Sequence, residues 1–138
     1  MDPGQILIID DDEISRYLLK GVLGASGYRV SEARGGSEGL RLARESKPDL
    51  IILDLSMPDL SGFEVLDQLK MDAKTQQIPV VIYTSQRLES GERERLQAAA
   101  DIVPKETQSR ELTGARFAEA LARAGLLTKA TAPDGVGV

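Results

Sequence analysis

Leu50-Ile51-Ile52-Leu53-Asp54 is four apolar residues without a break, ended by a carboxylate. A run this short, unalternating and partly β-branched has the pattern of a strand covered on both faces. Lys47-Pro48 closes whatever helix precedes it, and Met57-Pro58-Asp59 turns the chain after it. Two more runs take the same form. Ile6-Leu7-Ile8-Ile9 stops at Asp10-Asp11-Asp12, and Val80-Val81-Ile82-Tyr83 stops at Thr84. Ile102-Val103 is a brief last strand leading to Pro104-Lys105, and residues 28–33 form a weaker one, expected near an edge.

Helical patterns fill the gaps. Asp12 or its neighbour can cap a first helix carrying Ile14, Tyr17, Leu18 and Val22, spaced for one face, with Gly24 and Gly27 around its end. Gly35-Gly36 opens a short second helix with Leu40 and Ala43 inward. Ser61 and Glu64 match a capping box, starting a third helix through Leu66 and Leu69. A polar fourth helix is expected over 90–100, with Leu88, Leu96 and alanines to anchor it. The last, over 110–124, offers Leu112, Phe117 and Leu121 for packing.

Five strands alternating with five helices predict an α/β protein with a parallel sheet covered on both faces. The 138 residues, 41% of them hydrophobic, suit one domain with one core. A net charge of -5 argues against a nucleic-acid surface. The absence of cysteine and histidine excludes disulfides, thiolate metal sites and any phosphohistidine within the chain. No basic-flanked apolar leader and no membrane-length apolar stretch is seen, so a soluble cytoplasmic protein without membrane contact is expected. Residues 1–4 read as an N-terminal extension, 5–127 as the domain and 128–138 as a disordered tail.

In a parallel sheet, ligands sit at the carboxyl ends of the strands, near the switch in strand order. Those ends carry Asp10 and Asp11, then Asp54, Thr84 and Lys105. Three carboxylates in one crevice repel one another unless a cation joins them. An all-oxygen set suits Mg²⁺. The Thr84 hydroxyl and the Lys105 ammonium suit a phosphoryl oxygen, and a carboxylate can attack phosphorus to give an aspartyl phosphate. Taken singly each residue has a plainer use: Asp12 as a helix cap, Asp54 in a turn, Thr84 as a strand residue, Lys105 solvated. It is their joint placement at successive strand ends that points to one site.

Residues 47–62, from Lys47-Pro48-Asp49 through Asp54 to Met57-Pro58-Asp59-Leu60-Ser61-Gly62, closely resemble the phosphoacceptor region of response-regulator receiver domains of two-component signalling. Residues 6–11 resemble their first strand and acidic pair, and residues 79–85 their fourth strand with its threonine. The likeness covers residues 5–126 and is of the chemotaxis-regulator kind; residues 83–106 resemble receivers joined to hybrid sensor kinases. It implies a flavodoxin-like, doubly wound five-stranded sheet of order 2-1-3-4-5. Asp54 is the implied phosphoacceptor, with Thr84 and Lys105 holding the phosphoryl group. Mg²⁺ is held by Asp11 and Asp54, by the Ser56 backbone carbonyl, and by Asp10 through water. The implied protein is a switch that promotes its own phosphorylation and dephosphorylation, not an enzyme acting on other substrates. Its donor is a sensor histidine kinase or a histidine phosphotransfer protein. Its output partner is a protein reached through the fourth helix, last strand and last helix, with no output domain expected in this chain.

The chain departs from the family at three places. Proline precedes Lys105 as Pro104, and Glu106 follows, so the Lys105–Glu106 peptide is expected to be trans. Ile102 stands where most members carry an aromatic ring. Ser56 and Gln86 occupy the two positions that tune phosphoryl lifetime in the family. A haloacid-dehalogenase-like phosphatase would use Asp10 and Asp12, but such enzymes need an adjacent carboxylate pair after the lysine, where this chain has Glu106 and Glu111, which are not adjacent, and that reading leaves Asp54 without a task. A receiver that has lost its switch is the other alternative.

Overall fold

A computed structural model describes residues 4–105 and 110–125. The elements follow in strict alternation: β1 (Gln5–Ile9), α1 (Glu13–Ala25), β2 (Arg29–Ala33), α2 (Gly36–Ser46), β3 (Leu50–Leu53), α3 (Gly62–Met71), β4 (Val80–Thr84), α4 (Ser90–Arg95), β5 (Asp101–Pro104) and α5 (Arg110–Arg123). All strand pairs are parallel, in the flavodoxin-like order β2-β1-β3-β4-β5. Among the described residues no helix is long and apolar enough to cross a membrane. The expected tail at 128–138, the Lys105–Glu106 bond and residues 1–3 lie outside the described residues.

The pleat divides the strand residues between two core layers. Leu7, Ile9, Ile51, Leu53, Val80 and Ile82 meet Leu40 and Ala43 of α2 and Leu66 and Leu69 of α3. Ile6, Ile8, Leu50, Ile52, Val81 and Tyr83 point the other way, onto Leu19 and Leu23 of α1 and Phe117 and Leu121 of α5. The unbroken apolar runs at 6–9, 50–53 and 80–83 thus serve both faces, as their pattern predicts. The Ser61–Glu64 capping box is present, its side-chain and backbone bonds 3.2 and 3.1 Å long.

Three expectations are corrected. Helix α1 buries Ser15, Arg16, Leu19 and Leu23, whereas Ile14 and Tyr17 are 71% and 72% exposed and Leu18 is exposed as well. Both sets have helical spacing. Arg16 selects the face, because burial satisfies it: its guanidinium donates to the Asp10 carbonyl at 2.7 Å and pairs with Glu32 of β2 at 2.8 Å. Helix α4 ends at Arg95, not at residue 100, because no residue within it is buried and Leu96 anchors the chain just beyond it. Leu112 is exposed, and α5 packs through Phe117, Ala120 and Leu121 instead.

Strand β5 is an edge, and α5 fastens it. Asp101 pairs with Arg116 at 3.1 Å and Arg123 at 3.3 Å, and also accepts the Ile102 N–H at 2.8 Å. Arg116 donates in addition to the Ile102 carbonyl at 2.9 Å.

The choice of face on α1 is measurable. Leu19→Ala should cost about 2–5 kcal/mol in urea unfolding, the cost of a fully buried leucine. Ile14→Ala should change stability by no more than about 0.5 kcal/mol. Equal losses would contradict this burial pattern.

Candidate phosphoryl site at the carboxyl ends of the strands

The sheet's backbone bonding runs one residue past the strands, and this sets the site. The Asp10 N–H donates to Ala33 O at 3.1 Å, the Asp54 N–H to Ile9 O at 2.9 Å and the Lys105 N–H to Thr84 O at 2.7 Å. Asp10 and Asp54 therefore leave the neighbouring strands β1 and β3, where the chain order switches direction. Asp10, Asp11 and Asp54 each bring a carboxylate oxygen within 4.8 Å of the others. Asp10 and Asp54 are buried and Asp11 is exposed. Lys105 Nζ lies 2.8 Å from Asp10 Oδ2 and 3.6 Å from Asp54 Oδ1. The residues singled out at the strand ends thus converge, with Thr84, buried, as the last residue of β4.

The Lys105 ammonium is shared by the Asp10 and Asp54 carboxylates, with Asp11 beside them, and the charges are unbalanced. Burial pushes the Asp54 carboxyl up to about 6, and the neighbouring Asp10 adds to the rise. Lys105 and the backbone N–H groups of Leu55 and Ser56 pull the other way. Burial disfavours the charge on Lys105, but Asp10 and Asp54 hold its pKa above the ordinary lysine value. Asp10 Oδ1 accepts the Asp12 N–H at 2.9 Å, while among the described residues no well-directed hydrogen bond reaches Oδ2, which lies 2.8 Å from the ammonium. Asp12 has the cap role expected of it: it accepts from the Ile14 N–H and the Ser15 hydroxyl, both at 3.0 Å.

Residues around the site form a polar chain toward α4. Thr84 Oγ1 accepts the Gln86 N–H at 3.0 Å, which leaves its own proton available. Ser56 Oγ donates to Gln86 Oε1 at 3.3 Å, and Gln86 Nε2 donates to Glu92 Oε2 at 3.2 Å. A cleft of about 400 Å³ opens beside Thr84 and Lys105 between Leu88, Arg93, Ile102 and Pro104. Sequence reasoning missed two contributors. Tyr83 lies beneath the Lys105 ammonium, 5.3 Å from Nζ to the ring centroid, and meets Phe117 edge-on at 5.0 Å. Arg16 holds the Asp10 carbonyl.

Residues 6–116 match the response regulator receiver domain family. The chain belongs to that family. It is a receiver domain of two-component signalling. Protein PilH of Pseudomonas aeruginosa is 42% identical over 86 residues, which is 62% of this chain and 71% of PilH. The chemotaxis protein CheY4 of Vibrio cholerae superposes with a TM-score of 0.76 at 25% identity, covering 86% of this chain and 99% of that one. TrrA of Thermotoga maritima, solved in complex with Mg²⁺ and BeF, gives 0.71 at 31% identity, covering 86% of this receiver and 99% of TrrA.

The raised Asp54 pKa has a direct consequence for stability. The folded value lies above the unfolded one, so the native state binds the Asp54 proton more tightly. That contribution is fully present below about pH 4 and is lost as pH rises through about 6. In metal-free buffer the receiver should lose on the order of 2 kcal/mol relative to Asp54→Asn between pH 4 and pH 7. Parallel urea-stability profiles for the two proteins would refute the raised pKa.

Proposed function

We propose that Asp54 accepts a phosphoryl group from a phosphohistidine donor and that the receiver then switches a protein-binding surface. The observation that supports this most is the convergence of Asp54 with Asp10, Asp11 and Lys105 at one crevice. The donor is a sensor histidine kinase or a histidine phosphotransfer protein. A cytoplasmic location is part of the same reading.

The donor set fits Mg²⁺. It offers only oxygen, it carries excess negative charge, and Asp10 Oδ2 is a buried oxygen lacking a well-directed hydrogen bond. Asp10, Asp11, Asp54 and the Ser56 backbone carbonyl would hold the ion. When bound, the ion neutralises the carboxylates and the incoming phosphoryl oxygens.

The chain's own residues supply the rest. An ionised Asp54 oxygen attacks phosphorus in line; the new P–O bond replaces the P–N bond to the imidazole, which leaves with the electron pair. Lys105 is close enough to follow the charge as it moves from the carboxylate to the phosphoryl oxygens. The Thr84 hydroxyl, which accepts from Gln86, donates its proton to another of those oxygens. That contact exists only after phosphorylation, so it can bias the loop leading to α4. Helix α4 is suited to move, having no buried residue of its own. It is held by polar contacts: Arg95 over the Phe63 ring at 4.8 Å, Arg95 with Asp67 at 3.5 Å, and Gln86 with Glu92. The face of α4, β5 and α5 is the proposed output surface.

Mass spectrometry after incubation with Mg²⁺ and acetyl phosphate should show one added phosphoryl group on the wild type and none on Asp54→Asn. Mg²⁺ alone should raise the melting temperature. Labelling that persists in Asp54→Asn sinks the acceptor assignment, and indifference of both readouts to Mg²⁺ sinks the metal site. With Mg²⁺ and beryllofluoride, amide NMR shifts should run from Ser85 to Leu96 with a small methyl response at Ile102. A response confined to the neighbourhood of Asp54 would overturn the proposed output route.

A further inference from the structure

Helix α2 begins at a residue that cannot cap it. Its N-cap is Gly35, which has no side chain to accept from the first turn. The missing acceptor comes from the loop after β3. Asp59 Oδ1 accepts the Gly36 N–H and Oδ2 the Ser37 N–H, each at 3.0 Å. These two amides hold the Asp59 carboxyl down at about 2. The neighbouring Leu60 sits so close to Gly36 that a Cβ there would lie 2.8 Å from Leu60 Cβ.

The same loop leads directly out of Asp54. The N–H groups of Leu55 and Ser56 favour its charged carboxylate. The chain returns at Gly62, whose N–H donates to Leu55 O at 2.9 Å. A Cβ on Gly62 would fall 2.2 Å from Asp54 O, so the return is tight and admits no side chain. Between Leu55 and Gly62 the loop projects to Pro58 and Asp59, and its far end is tied down by the Asp59 bonds to α2.

We propose that Asp59 is a positioning residue for the phosphoryl site: clamped on the first turn of α2, it fixes the loop that runs from Asp54 to Gly62 and so sets the aim of the Asp54 carboxylate. The proposal rests on the reading of Asp54 as acceptor. It gives work to a residue that the sequence suggests only as part of a turn. Asp59 is exposed, so its replacement leaves the core intact. Small misplacements of a nucleophile are costly in rate even when they cost little stability.

The test compares Asp59→Ala and Asp59→Asn with Asp49→Ala. Asp49 makes a similar bond, accepting the Gln5 N–H at 2.8 Å, but at the opposite end of the sheet. With Mg²⁺ and acetyl phosphate, Asp59→Ala should slow labelling of Asp54 about tenfold. Asp59→Asn, which keeps one acceptor, should fall between, and Asp49→Ala should match the wild type. In the metal-free, donor-free protein, Asp59→Ala should also speed amide hydrogen exchange at Leu55 and Ser56. Faster exchange at Gly36 and Ser37 alone, with labelling at the wild-type rate, would reduce Asp59 to a helix cap and overturn the proposal. A wild type that never labels would overturn the acceptor reading instead, and exchange at Leu55 and Ser56 would still decide whether the clamp exists.

Discussion

Three clustered carboxylates with one ammonium between two of them are an unstable arrangement that only a rigid frame can hold. Backbone bonds at the rim of the sheet fix Asp10 and Asp54 side by side, and Asp11 follows Asp10 into the same cluster. Burial sharpens the conflict, since it removes the water that would screen like charges. Lys105 relieves it in part from the far side of the crevice, and Tyr83 supports the ammonium from beneath. The apolar strands under the site are what make the strain affordable: residues 6–9 and 50–53 are almost wholly buried and register side by side.

Around this frame the connections differ in kind. Helices α1, α2, α3 and α5 press apolar side chains into the two core layers. Helix α4 is attached at its flanks, by Leu88 and Leu96, and otherwise through charged and amide groups. Apolar packing resists displacement over its whole area, whereas a polar contact can be exchanged for water at small net cost. The molecule thus combines a stiff site with one loosely held neighbour, and the Ser56–Gln86–Glu92 chain spans the gap between them.

Much of this was legible before any coordinates. The apolar runs ending at Asp10, Asp54 and Thr84 carry enough pattern to give the parallel sheet, its two covered faces and the residues on its rim. Helix faces were harder. On α1, Ile14-Tyr17-Leu18 and Ser15-Leu19-Leu23 have equal claim to helical spacing, and the deciding partner, Glu32, lies on another strand. The short span of α4 escaped for a related reason: alanines after residue 97 favour helix locally, but the chain there turns to the sheet, with the Ala100 N–H donating to Val80 O. Asp59 acts on backbone groups of a distant segment and Arg16 on a carboxylate of another element, and such contacts leave no periodic mark in a sequence.

The outer edge of the sheet at β5 has a bearing on how other proteins can engage this domain. An edge strand normally offers free backbone groups onto which a foreign strand can hydrogen-bond. Here Ile102 has both of its groups occupied, the N–H by Asp101 and the carbonyl by Arg116, and Pro104 has no N–H to give. Strand addition, whether by a partner peptide or by a second copy starting a fibre, finds both Ile102 groups taken and no donor at Pro104. Recognition at this side of the molecule falls chiefly to side chains, a vocabulary that can diverge without disturbing the sheet beneath.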